Sequence, residues 1–355
     1  MEKNKDQMIE LETILDYIQP TKFIVKSTNY SNEYETPVLT AGQTLILGYT
    51  NEKEGIYQAS KENPVIIFDD FTTSFHLIDY PFKVKSSAMK LLVPKQGQNI
   101  NLNYIFHAMK CIDYIPKEHA RQWIQTYSKF KIFLPGKEQQ DYIADVLDSF
   151  NVLNNKLLIE QEYRKKEFKY MLEKLINNPS SQCETMSMDK IYNFQYGEGN
   201  TIPTIGGDYP VYGSNGIVGS HNVFNSEDAP VIGHIGAYAG IVNWGTGKHF
   251  VTYNGVICKK INDNVLPRFG YYLLLTQDYM SKANAGSQPF VSYNILYEPS
   301  VDIPDISRQE EIIDVLDCFD EFINIKIPKE IELRNQQYKF FLNELIKKYE
   351  VIDND

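Results

Sequence analysis

PGKEQQDYIADVLDSF at residues 135–150 returns as PDISRQEEIIDVLDCF at residues 304–319. The offset is 169 throughout: Pro135, Gln140, Ile143, Asp145, Val146, Leu147, Asp148 and Phe150 match Pro304, Gln309, Ile312, Asp314, Val315, Leu316, Asp317 and Phe319. After a one-residue shift the likeness resumes, KYMLEKLI at 169–176 against KFFLNELI at 339–346. Eight identities in sixteen positions, followed by a second matching block, mark an internal duplication.

Both copies have a helical period. In the first, Ile143, Leu147, Phe150, Asn154, Leu157, Gln161, Arg164, Phe168, Met171 and Leu175 alternate steps of four and three, a heptad seam. Such a helix could run about 38 residues, or roughly 57 Å. The second copy carries Ile312, Leu316, Phe319, Ile323, Ile331, Tyr338, Phe341 and Leu345. Asn154 and Gln161 are polar seam positions that can fix register. The duplication favours two long helices packed antiparallel as paired spacers; packing within one compact core is the alternative. Pro328 falls inside the second copy, beside the extra residue. A kink or break is expected near Lys326 to Pro328, because proline removes a helix hydrogen bond and crowds the preceding turn.

Two segments of similar length remain, 1–134 and 179–303, each directly before one helix copy, 135–178 and 304–355. Both are rich in Gly, Asn, Tyr and β-branched residues. Runs such as Val65-Ile66-Ile67-Phe68 and Phe250-Val251-Thr252-Tyr253 read as short strands between turns. More helical patches follow at Tyr104–Ile112 and Phe269–Met280. The segments echo each other: TPVLTAG at 36–42 parallels YPVYGSN at 209–215, and Asn63-Pro64-Val65-Ile66 parallels Ala229-Pro230-Val231-Ile232. The expected fold is α+β and pseudo-twofold, with two mixed α/β domains separated by two long antiparallel helices.

Composition bounds the function. Hydrophobic residues make up 43%, which supports a sizeable core. No run of 18 apolar residues occurs, so no membrane span is expected, and the charged stretch Met1–Glu10 is unlike a secretory signal. Cys111, Cys183, Cys258 and Cys318 form no Cys-x-x-Cys pair, which disfavours a zinc site or a disulfide framework and fits a reduced cytoplasm. The net charge of −11 argues against nucleic acid at first sight. Residues 1–134 are neutral, with 15 basic against 15 acidic side chains, whereas residues 304–355 hold 7 against 13. Residues 179–303 hold 6 against 10 and are not basic overall. DNA binding depends on a local basic face rather than the total.

PVLTAGQTLILGY at 37–49 with PVIIFDDFTTS at 64–74 resembles one class of target-recognition domain of type I restriction-modification specificity subunits. YPVYGSNGIVG at 209–219 with GSQPF at 286–290 resembles another class. The helix opening, a Pro, a Gln five residues on and then Ile-x-x-Val-Leu-Asp, resembles that family's repeated helical regions. The resemblance spans nearly the whole chain. It implies a non-catalytic bacterial or archaeal subunit whose two domains each read one half of a bipartite site on double-stranded DNA. Unlike domains imply an asymmetric site. It also implies docking of two methyltransferase subunits, joined by restriction motor subunits, with S-adenosylmethionine, ATP and Mg²⁺ on those partners and no cofactor or metal here. Leu147, Phe150, Leu157, Phe168, Leu316, Phe319, Ile323 and Phe341 are the expected subunit-docking residues of the helices.

Base edges and phosphates are met by Arg, Lys, Asn, Gln, Ser and Thr. The candidates in the first domain are Thr72, Thr73, Ser74, Lys83, Lys85, Ser86, Ser87 and Lys90, then Arg121, Gln122, Lys129 and Lys131. In the second they are Ser214, Asn215, His221, Asn222, Tyr238, Lys248, His249, Tyr253, Asn254, Ser287 and Gln288. Each has a plainer alternative. Asp69-Asp70 beside the first set can serve a turn or hold a lysine. Lys83, Lys85 and Lys90 can be a solvated strand face. His221 and His249 can be packed residues, and the glycines between 213 and 240 can serve turns.

No catalytic constellation emerges. Gly245-Thr246-Gly247-Lys248 approaches a phosphate loop, but Val242 and His249 stand where Gly and Ser/Thr are needed, so a hairpin turn is expected. Pro-Pro, His-Glu-x-x-His and Gly-x-Ser-x-Gly are absent. Two other readings stay open: a binder of a non-DNA ligand dimerised through its helices, which 25 Tyr and 19 Phe would suit, and a stand-alone nuclease.

Overall fold

The computed structural model describes residues 7–349 apart from 43, 119, 180–181, 200–205 and 285. Residues 350–355, assigned to the last helix from sequence, lie outside the described residues. The chain forms two compact units, Met1–Leu158 with Lys329–Asp355, and Ile159–Pro328. Each holds one α+β globular part and a portion of both long helices.

The first long helix runs unbroken from Lys137 to Asn177. The second does not break at Pro328. It runs from Ile306 to Glu321, continues as a π-helical turn over Phe322–Lys326, and resumes as α-helix from Ile327 to Leu345. The π turn is the extra residue: an i→i+5 turn accommodates one more residue without ending the helix. The Ile327 N–H reaches back to the Phe322 carbonyl. The Ile323 carbonyl thereby loses its usual donor, and Pro328 has no N–H to replace it. Gln161, from the first helix, donates its Nε2 to that carbonyl at 2.9 Å.

The seam is antiparallel within each unit. In the first, the Phe150 ring stacks on Phe341 with centroids 5.6 Å apart, and Asn154 Nδ2 donates to Asn335 Oδ1 at 2.7 Å. In the second, Gln161 meets Ile323, and the Arg164 guanidinium lies over the Phe322 ring at 5.9 Å. Leu147 and Leu316 are fully buried, and Phe150 and Ile323 nearly so. Burying one such side chain stabilises by about 1.5–3 kcal/mol. These four therefore hold the chain together and present nothing to a partner subunit, contrary to the docking expectation. Leu157, Phe168 and Phe319 are half-buried, and Phe341 is 36% exposed.

The globular parts share one strand plan. In the first unit a four-stranded sheet runs in the order Leu15–Ile18, Met89–Pro94, Val65–Asp69, Phe75–Ile78. A second sheet orders Ile46–Thr50, Thr36–Leu39, Lys83–Val84. Val65 to Phe68 do not alternate in polarity because both faces are covered. Ile66 and Phe68 join the core under the helix Leu102–Met109, while Val65 and Ile67 join the core of the other face. In the second unit one six-stranded sheet runs Tyr192–Tyr196, Gly255–Lys260, Ser226–Gly233, Val242–Val251, Tyr209–Gly213, Gly216–His221. The long strand Val242–Val251 does what Phe75–Ile78 and Lys83–Val84 do separately in the first unit.

The echoed segments occupy the same place in this plan. Thr36–Leu39 and Tyr209–Gly213 each open a hairpin with a register shift, between Val38 and Leu39 in one and between Val211 and Tyr212 in the other. Each also pairs in parallel at those positions, Val38 with Lys83 and Val211 with Phe250. Gly245–Lys248 is not a hairpin turn. It lies inside Val242–Val251, opposite a register shift at Glu227/Ala229, where Asp228 Oδ1 accepts the Gly247 N–H at 2.7 Å.

Candidate nucleic-acid interface

Asp70 organises the first unit's candidate surface. The Val65–Asp69 strand ends in a turn in which Asp69 Oδ1 accepts the N–H groups of Phe71 and Thr72 at 2.8 and 2.9 Å. Thr73 takes a left-handed φ of 59°, and its N–H donates to the Asp69 carbonyl. Asp70 points inward. Its N–H donates to Ala88 O, its carbonyl accepts Gln122 N–H, and its Oδ1 accepts Trp123 N–H at 2.9 Å. Three candidate stretches thus meet around one buried carboxylate: Thr72–Ser74, Ser86–Ser87 and Arg121–Gln122.

Within that set the structure separates surface from support. Thr72, Ser86, Ser87 and Arg121 are exposed, and Ser74 is half-buried. Thr73 and Gln122 are buried; Gln122 Nε2 donates to Ala120 O and its Oε1 accepts from the Tyr114 hydroxyl. Lys83 and Lys90 are only 1% and 2% exposed. Lys83 Nζ lies 3.0 Å from Glu52 and donates to Glu54 O at 2.6 Å. Lys90 donates to Gln19 Oε1 at 2.8 Å and lies 3.6 Å from Asp70 Oδ2. A buried ammonium needs such partners, since the desolvation of an unpaired charge is severe. Both lysines are withdrawn from the DNA-facing candidates, and Asp70 does hold a lysine. Lys85 sits half-buried against Tyr30. Lys129 and Lys131 are exposed at the strand Lys131–Phe133, apart from the Asp70 turn.

In the second unit four loops converge. The Ser214 carbonyl lies 2.5 Å, and the Tyr238 carbonyl 2.3 Å, from where a Cβ on Gly233 would stand. Only glycine permits that approach. His234 N–H donates to Asn254 O at 2.8 Å, and Gly236 N–H donates to Pro289 O at 2.8 Å. Ser214, Asn215, Tyr238, Tyr253, Asn254, Ser287 and Gln288 are thereby gathered, with Asn215, Tyr238, Tyr253, Ser287 and Gln288 exposed. His234 was not anticipated from sequence. It is buried, donates from Nδ1 to Tyr253 O at 2.9 Å, and stacks on Tyr196 at 4.0 Å. Tyr196 in turn stacks on Tyr293 at 4.2 Å. No local motif marks this column, because its rings come from positions 38 to 97 residues apart.

The remaining candidates fall elsewhere. His221 stacks on Phe250 at 4.6 Å, Asn222 is exposed, and Lys248 lies over Phe224 at 4.7 Å. His249 is fully buried, with Nδ1 on the Gly247 carbonyl at 2.8 Å and no hydrogen-bond partner for Nε2 among the described residues. Burial pushes its imidazole down from the usual value, so it is a neutral packed residue and not a DNA ligand. Among the described residues no group of three or more His, Cys, Asp or Glu side chains is placed to hold a metal ion, and no helix is long and apolar enough to cross a membrane.

Residues 189–333 match the family model described as type I restriction modification DNA specificity domain. The chain is 30% identical over 374 residues to the Escherichia coli type I restriction enzyme EcoR124I/EcoR124II specificity subunit, covering 94% of this chain and 92% of that one. It is 26% identical to the Escherichia coli EcoprrI specificity subunit over 52% of this chain and 49% of that one. The fold is similar to the crystal structure of a type I restriction-modification S subunit from M. genitalium, with a TM-score of 0.64, 16% identity, and coverage of 97% and 98%.

Proposed function

The chain belongs to the type I restriction enzyme specificity subunits, the non-catalytic DNA-recognition components of their complexes, and on that premise we propose that it reads an asymmetric bipartite site on double-stranded DNA. Segment 1–134 reads one half and segment 179–303 the other, while 135–178 and 304–355 act as spacers. The observation that carries this reading is one strand plan built twice with unlike loops, around Asp70 in one unit and around Gly233 in the other. A shared scaffold with different exposed polar side chains suits one task on two targets.

The reading surfaces are Thr72, Ser74, Ser86, Ser87 and Arg121 in the first unit, with Lys85, Lys129 and Lys131 as flanking phosphate contacts. In the second they are Ser214, Asn215, Tyr238, Tyr253, Asn254, Ser287 and Gln288, with His221, Asn222 and Lys248 flanking. Two methyltransferase subunits dock on the helices and methylate adenine, and restriction motor subunits join them in the cytoplasm. S-adenosylmethionine, ATP and Mg²⁺ belong to those partners. Docking falls to exposed apolar side chains such as Tyr142, Tyr163, Tyr170, Ile325 and Phe340, since much of the seam is buried.

Salt dependence tests the reading. The chain purified with a type I methyltransferase subunit should bind duplex DNA, losing roughly a thousandfold in affinity between 50 and 200 mM salt, as for about six phosphate contacts. A salt-independent affinity, or none for DNA, would favour the binder of another ligand.

A further inference from the structure

The duplicated Gln and Asp of the helix openings do the same thing twice. In the first unit, Gln140 Nε2 donates to Pro135 O at 2.7 Å and its Oε1 accepts the Asn101 N–H at 2.9 Å, at the start of the helix Leu102–Met109. In the second, Gln309 Nε2 donates to Pro304 O at 2.8 Å and its Oε1 accepts the Leu266 N–H at 2.8 Å, at the start of the helix Pro267–Leu275. Eight residues on, Asp148 and Asp317 each receive side chains spaced i, i+4 on that same domain helix. Asp148 accepts from Asn103 Nδ2 at 2.6 Å and from His107 Nε2 at 2.8 Å. Asp317 accepts from Arg268 Nε at 2.6 Å and from the Tyr272 hydroxyl. Asn103 and His107 stand at the same offset, 165, from Arg268 and Tyr272.

The ring behind each pair is duplicated too. Tyr338 packs on His107 at 5.8 Å and hydrogen-bonds its Nδ1 at 2.9 Å, while Phe168 packs edge-on to Tyr272 at 6.3 Å. Tyr338 and Phe168 differ by the 170 of the second repeat block. The geometry is conserved between copies although the residue types differ.

We propose that Gln140–Asp148 and Gln309–Asp317 are two latches, and that Asp148 and Asp317 are positioning residues fixing the angle at which each recognition domain leaves its helix. This rests on the DNA-reading function proposed above. A glutamine on the backbone N–H of the residue that caps the domain helix sets where that helix begins, and an aspartate on two side chains one turn apart sets its rotation. Charged hydrogen bonds of this kind resist bending of a contact better than apolar packing, because their strength is directional. Different donor sets on one acceptor let unlike domains be held in a common pose.

The test uses the full chain with its methyltransferase subunit and duplexes whose spacer is native, or one base pair longer or shorter. Asp317→Ala should raise methylation of the altered spacers relative to the native one by about tenfold, as expected for losing a charged hydrogen bond. The bases required in each half-site should not change. An unchanged spacer ratio, or relaxed base choice in both halves, would overturn the proposal. Should Asp317→Ala melt early, R268N/Y272H decides, since it rebuilds the first unit's donors on Asp317. It should keep the wild-type ratio, whereas R268A/Y272F should relax it; equal behaviour of the two overturns the latch. Absence of methylation with the unaltered chain would instead defeat the DNA-reading function itself.

Discussion

Asp70 and Lys90 are both about 2% exposed in their side chains and lie 3.6 Å apart. Asp70→Ala strands a buried ammonium and frees the Trp123 N–H, so the loss is set by desolvation rather than by the strength of the pair. About 3–5 kcal/mol is expected by chemical denaturation, and Lys90→Met in the same chain should recover much of it. His107 is a second internal node. Its imidazole is held below its usual value by burial, partly opposed by Asp148, so it stays neutral, donating from Nε2 and accepting at Nδ1 from Tyr338. The unfolded chain takes up that proton first, near pH 6.5. The stabilisation is therefore complete above about pH 6.5 and lost as the pH falls toward the lowered folded value. Thermal melts at pH 7.5 and 5.5 should differ less for His107→Asn than for the unaltered chain. That Asp69-Asp70 can hold a lysine was legible in the sequence, but which lysine was not, nor were the partners of Lys83 and His107. Lys83 meets Glu52, Lys90 meets Asp70 and His107 meets Asp148 across 20 to 41 residues, and no local pattern separates an inward lysine from a solvated one.

At the scale of elements the sequence carries more. Heptad spacing located the buried stripe where each helix begins, Ile143, Leu147 and Phe150 in one and Ile312, Leu316 and Ile323 in the other, whereas toward the end of the first helix the buried residues are Leu172 and Ile176 rather than Met171 and Leu175. The strand plan was legible as short apolar runs, and its repetition as the echo between residues 36–42 and 209–215. The change of offset from 169 to 170 was legible as an extra residue; of the kink or break expected there, the break does not occur, and the residue is taken up in the π turn Phe322–Lys326. Pro328 removes one donor, and a side chain from the other helix replaces it. That compensation gives a double-mutant prediction. Gln161→Ala should cost about 1–2 kcal/mol by leaving the Ile323 carbonyl unpaired. Pro328→Ala should offset that loss by returning a backbone donor, and the two changes together should be less destabilising than their sum. Additivity would mean that Gln161 does not serve that carbonyl.

For the whole molecule, a chain of net charge −11 reads DNA without a basic surface overall. The acidic excess is concentrated after residue 303, and the gathered loops present hydroxyls, amides and tyrosines with few cations. Sequence alone could name polar loop residues but not say which loops meet, since the meeting points are set by Asp70 and Gly233 rather than by the exposed candidates themselves. The most direct test is methylome sequencing of cells expressing this chain with a type I methyltransferase subunit, in the unaltered form and with Asn215, Tyr238, Ser287 and Gln288 replaced by alanine. The account predicts a methylated bipartite motif in which the replacements alter one half and leave the other unchanged. A motif altered in both halves, or unaltered in either, would contradict it.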